Sequence, residues 1–194
     1  MSGFSSIAAS SRSLRKSDAG SQIVEFALSV PVLVLFVIGI FDFSGALALK
    51  HKLENAVREG ARVAAADPAT DLNASMPVSV SDAYQAVDNY LVSEQVNDCG
   101  LASAAAPTGA SLQWIYTANA SCPGASGLTL TINRGCAQPQ SVTMGANSPT
   151  IYLICTQVTL VYPYVWQFTG AVGLFGRIVG PASITTSAVA FDEN

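Results

Sequence analysis

Charge is what this sequence has least of. Only 11% of its 194 residues are Asp, Glu, Lys or Arg, against roughly 25% in ordinary soluble domains. From Phe26 to Phe41 there is no charged residue at all. Histidine is nearly absent: His51 is the only one, at the edge of that apolar stretch. A single imidazole there offers little to a His-based metal centre or a Cys–His nucleophile pair. No Gly-rich phosphate loop and no nucleophile elbow occurs. The neighbouring acids Asp67 and Asp71 fall in a linker. We therefore expect no enzyme, no cofactor and no bound metal. Basic residues are scarce in the second part of the chain. From Asp67 onward Arg134 and Arg177 stand against eight acids, a net −6. A surface of that sign repels nucleic acid, and no basic patch with interleaved aromatics occurs, so nucleic-acid binding is set aside.

What is present is a hydrophobic half: 50% of residues are apolar. Residues 1–20, MSGFSSIAASSRSLRKSDAG, are small, polar and basic, and read as a leader or a disordered tail. Residues 21–49 are apolar apart from Glu25 and Asp42. Phe26 to Leu49 is 24 residues, about 36 Å at ~1.5 Å per residue, enough to span a bilayer. Pro31 and Gly39 are tolerated in membrane helices. A cleaved secretory signal has a shorter apolar core, whereas here a helical pattern continues through residues 50–66. Leu53, Val57, Ala61 and Ala64 recur on one face, with Glu54, Arg58, Glu59 and Arg62 on the other. Asp67-Pro68 stops it. Cations on the two sides of the span number three and four, so charge alone leaves the orientation open.

Residues 67–77 read as a linker, followed by an amphipathic helix near 80–96 with Ala83, Val87 and Leu91 on one face. Strand-like runs follow at Leu112–Ala118, Leu128–Asn133, Ile151–Tyr162 and Ala182–Phe191. The third run lines one face with Tyr152, Ile154, Val158, Leu160 and Tyr162, broken by Thr156. The expected fold class is α+β: a long N-terminal membrane helix continuing into an amphipathic helix, then a domain of residues 67–194 with a second helix and a small antiparallel sheet. The apolar, Gly-rich segment 163–180 reads as a loop packed on the sheet. A partner-binding patch and a second membrane span are its alternatives.

Two acids lie in or beside the apolar helix, where charge costs at least ~2.5–3.5 kcal/mol. Glu25 is either functional or snorkels to the headgroups. Asp42 lies either at the outer interface near Lys50 or against a cation of another subunit. The stretch GSQIVEF (Gly20–Phe26), with VEFAL, Pro31, FDF at Phe41–Phe43 and AVREGARVAA at Ala56–Ala65, closely resembles the TadE-like family of Tad/Flp pilus systems. The resemblance covers about residues 18–66. TTSAVAF, Thr185–Phe191, is also similar to the closing strand of such proteins. The resemblance implies a minor pilin or pseudopilin of the inner membrane, with its C-terminal domain outside the cytoplasm. A prepilin peptidase would cut after Gly20 and make Ser21 the new N-terminus. Glu25 would become the fifth residue, meeting the N-terminal amine of a neighbouring subunit, with Phe26 beside it where many pilins carry Tyr. Other pilins and the membrane assembly platform would be its partners. The alternative is a single-span anchored binding module outside any filament.

The four cysteines, Cys99, Cys122, Cys136 and Cys155, form no CxxC pair. Downstream of a membrane segment they read as two disulfides in an oxidising compartment, with buried free thiols as the alternative. Three connectivities are open. Local geometry favours Cys136–Cys155 across a hairpin of the second and third strand runs, and Cys99–Cys122 between the second helix and the sheet.

Overall fold

A computed structural model of the chain describes residues 18–109, 111–123, 126–136, 138–141, 150–153, 155–167 and 182–192. The expected leader up to residue 17, Ile154 and residues 168–181 of the apolar segment lie outside these. The chain divides into two compact units after Ile40.

Helix α1 runs from Asp18 to Ala66 with Pro31 inside it. Its sequence supplies the reason: an unbroken run of apolar residues, then a period of three to four, then Asp67-Pro68, where proline disfavours helix at the residue before it. Between Gln22 and Ile40 the large side chains are exposed, Leu28 at 72% and Phe36 at 70%, save for the half-buried Leu35 and Ile38. The first fully buried side chain on the helix is Leu53. From there Leu53, Ala56, Val57, Ala61, Ala64 and Ala65 are buried in the core, a stripe at i, i+3, i+4 spacing.

Helix α2, Val78–Ser93, packs Val80, Ala83, Val87 and Leu91 into the same core. Its preceding residue Pro77 offers no side-chain cap. Asp71 in the linker does so instead: its Oδ2 accepts the Val78 N–H at 2.6 Å. A carboxylate there satisfies an orphan donor and suits the positive end of the helix dipole. At the other end Lys52 of α1 donates to the Glu94 carbonyl at 2.7 Å. Gly60 sets how closely α1 and α2 approach. A Cβ at that position would lie 2.6 Å from Val87 Cγ2 and 3.2 Å from the Ala83 carbonyl oxygen. Gly60→Val is therefore expected to destabilise the domain by about 1–3 kcal/mol through overpacking. Urea unfolding of the full chain in detergent, followed by Trp114 fluorescence, would show the lower midpoint.

The main sheet has β1 (Gln113–Ala118), β2 (Leu128–Asn133), β5 (Cys155–Pro163) and β6 (Ser183–Phe191) in the order β1-β2-β5-β6, all antiparallel. Residues alternate between core and outer face along β2 and β5, as half-buried strands do. In register, Tyr116, Leu130, Leu160 and Thr186 form one buried row across the four strands. With the two helices this is the α+β layout expected from the pattern.

The expected single strand Ile151–Tyr162 is instead two. Strand β4, Thr150–Leu153, pairs with β3, Gln138–Ser141, in a separate two-stranded sheet, and β5 begins at Cys155. The reason is partner supply. Pairing of β2 with β5 ends at Asn133↔Gln157, and β6 carries the strand two residues further, to Cys155↔Phe191. Upstream of Cys155 neither strand supplies a partner, and Thr150–Leu153 pairs with β3, which the sequence pattern had not marked. The first strand starts at Gln113, one residue later than expected, because Leu112 has φ of 64°, outside the strand region.

Candidate functional site

Two places carry the residues singled out by the sequence, and a third emerges only in the structure. The first is the start of α1. Gly20 is exposed in the first turn of the helix. Glu25 and Phe26 follow one turn later, both with exposed side chains, Phe26 at 70%. The Glu25 carbonyl accepts the Ser29 hydroxyl at 2.5 Å, and its carboxylate projects from the helix among Ile23, Val24, Phe26 and Leu28, which are all exposed. α1 from Gln22 to Ala66 contains a window of mean hydropathy 2.6 with none of that window buried. It is long and apolar enough to cross a membrane, which fits a single-pass anchor. A surface of this kind has a strong drive to leave water for lipid or for other helices.

The second is the cysteine set. Cys99 pairs with Cys122 and Cys136 with Cys155, with Cα separations of 4.5 and 5.3 Å. Both lie within the range a disulfide needs, and these are the pairs favoured by the hairpin and helix placement. The first ties the loop after α2, where Cys99 and Gly100 both adopt positive φ, to the loop after β1. The second joins the turn after β2 to the first residue of β5, the point where the two sheets part. Each closes a loop of about twenty residues and is worth roughly 3 kcal/mol in the chain-entropy model. Non-reducing peptide mapping of protein from native envelopes is expected to recover these two pairs. Reduction should lower the urea midpoint of the domain.

The third place was not visible in the pattern. Arg134, 1% exposed, stands just past the end of β2. Its Nη1 donates to the Ala64 carbonyl of α1 at 2.6 Å, to the Thr156 hydroxyl of β5 at 2.5 Å and to the Asp192 carboxylate after β6 at 3.1 Å. Thr156, the apparent break in the apolar face of β5, is thus fully buried as a partner of this arginine. Ala64 lies in the last turn of α1, where carbonyls lack helical donors. Burial pushes the Asp192 carboxyl up, against the pull of Arg134 and Thr156. The one usable signal was an isolated cation in a strongly acidic, cation-poor domain.

Asp42 receives two groups from far along the chain. Its Oδ1 accepts the backbone N–H of Gln167 at 2.9 Å, and its carbonyl accepts the Tyr164 hydroxyl at 3.4 Å. Lys50 pairs with Glu54 at 3.6 Å. Asp71, expected merely to decorate the linker, serves α2 as its cap. Among the described residues no cluster of three or more His, Cys, Asp or Glu side chains is placed to hold a metal.

Residues 20–62 match the family model for TadE-like protein. The match starts at the exposed Gly20, passes through Glu25 and Asp42, and ends at Arg62, two residues after the Gly60 contact. The match lies within the long helix and leaves the sheet domain outside it. No curated protein and no solved structure matches the chain.

Proposed function

We propose that this protein is a minor pilin or pseudopilin that takes part in assembling a Tad-type pilus. The observation that carries the reading is the TadE-like match beginning at Gly20 on a helix whose apolar side chains are unpacked. A helix of this kind enters the inner membrane as a monomer and packs against other such helices when subunits are gathered. A prepilin peptidase removes residues 1–20, and the new amine at Ser21 lies one turn or so from Glu25. In a low-dielectric bundle, the carboxylate of one subunit and the amine of the next neutralise each other, and a slipped register leaves both unpaired. That pairing sets the position of one subunit against the next more than it adds net stability. The disulfide-closed domain of residues 67–194 is carried outside the cytoplasm, where an oxidising compartment maintains the Cys99–Cys122 and Cys136–Cys155 bonds. Other pilins and the membrane assembly platform are its partners.

The test is the N-terminus of the mature protein. Protein from native membranes is expected to read Ser-Gln-Ile-Val-Glu, and Gly20→Ala should block the cut. Chains that keep residues 1–20 in peptidase-competent cells would show a plain single-span anchor.

A further inference from the structure

Asp42 directly follows the uncharged run Phe26–Phe41 in the same helix. Counted from Ser21, the 21 residues to Phe41 rise about 31 Å at ~1.5 Å each, the thickness of a hydrocarbon core, so Asp42 stands at its outer edge. A carboxylate there needs hydrogen-bond donors or the headgroup layer. The donors come from far along the chain. Gln167 N–H and the Tyr164 hydroxyl, 125 and 122 residues away, bond to the Asp42 carboxylate and carbonyl. The same hydroxyl stands 3.8 Å from where a Cβ on Gly45, one turn further, would be. The segment that leaves β5 is therefore seated on the turn Asp42–Gly45. It carries Tyr164 and Trp166, with ring centroids 5.2 Å apart and planes at 88°. Between them Val165 is 46% exposed. Tyr and Trp, with an apolar body and a polar tip, are the side chains that concentrate at the membrane–water boundary.

The geometry points to Tyr164–Gln167 as a second membrane contact, in which Trp166 and Val165 enter the headgroup layer of the bilayer that α1 crosses. Asp42 is its positioning residue, holding the segment at that depth. The contact rests on the reading of α1 as a membrane span.

The full chain, reconstituted into phosphatidylcholine–phosphatidylglycerol vesicles, tests this through its two tryptophans, Trp114 and Trp166. Trp114 is buried in the core and should not respond. Bromines placed high on the acyl chains are expected to quench Trp166 roughly twofold more than bromines near the chain ends, as for an interfacial indole. That quenching should vanish in Trp166→Phe and weaken in Asp42→Ala. Leu33→Trp, made in the Trp166→Phe background, reports the span itself and should be quenched most by the deep bromines. Deep quenching of Leu33→Trp with no bromolipid quenching of Trp166, or with Trp166 quenched more deeply than shallowly, overturns the contact and leaves the span standing. If neither position is quenched, the membrane reading fails and the contact with it.

Discussion

Glu25→Gln is expected to abolish or severely reduce piliation while the protein still inserts in the membrane and unfolds in urea as wild type does. The substitution keeps shape and removes charge. A carboxylate in an apolar helix costs at least ~2.5–3.5 kcal/mol to insert, so the amide makes insertion easier, not harder. The domain core starts at Leu53 and should not sense the change. Under the proposed role, what is lost is the partner for a neighbour's N-terminal amine. That amine then sits uncompensated in a low-dielectric bundle, at a cost of the order of 3–5 kcal/mol per contact. Repeated along an assembly, such a loss outweighs the packing that holds subunits in place. Pili counted by electron microscopy, beside membrane fractionation of the same cells, decide the matter. Normal piliation would sink the pairing role, and loss of insertion would reassign Glu25 to biogenesis.

Arg134→Met is expected to be the most damaging single change in the sheet domain, at about 3–5 kcal/mol, because it strands a buried partner charge. Methionine fills similar volume without the guanidinium. Three acceptors lose their common donor: Ala64 O, Thr156 Oγ1 and Asp192 Oδ1. The pH dependence separates charge from packing. In the folded wild type the Asp192 carboxyl is already pushed up by burial. Without Arg134 it rises further, so the folded variant holds its proton more tightly than the unfolded chain. A raised acid pKa makes stability increase as pH falls. The deficit should therefore be largest near neutral pH and shrink as pH drops through the folded value toward the ordinary carboxylate range. Urea midpoints of the full chain across that range provide the measurement. A deficit independent of pH would assign the loss to packing. Arg134→Met with Asp192→Asn should recover part of it.

The elements legible in advance were those with local causes. The apolar run, the three-to-four-residue period of Leu53, Val57, Ala61 and Ala64, and Asp67-Pro68 write helix α1 without help from the rest of the chain. Helix α2 follows from the same period, and strands β1, β2 and β6 from two-residue alternation. The cysteine pairs were legible because each depends on neighbouring elements only. The split between β4 and β5 was not, since Ile151–Tyr162 reads as one strand and only the positions at which β2 and β6 run out divide it. Thr156 looked like a flaw in an apolar face until Arg134 stood against it.

By itself, then, the sequence determined the membrane-length helix, the match of Gly20 to Arg62 to the TadE-like family model, the α+β class and the scarcity of cations beyond Asp67, because each is a property of composition or of spacing within a few turns. Tertiary structure alone decided that Gly60 is the seat of α2, that Arg134 gathers the ends of α1, β5 and β6, and that Asp42 receives Gln167 and Tyr164. These contacts join residues between about twenty and 125 positions apart. A lone glycine, arginine or aspartate carries no period to announce its partner, and its role exists only once the chain has closed on it.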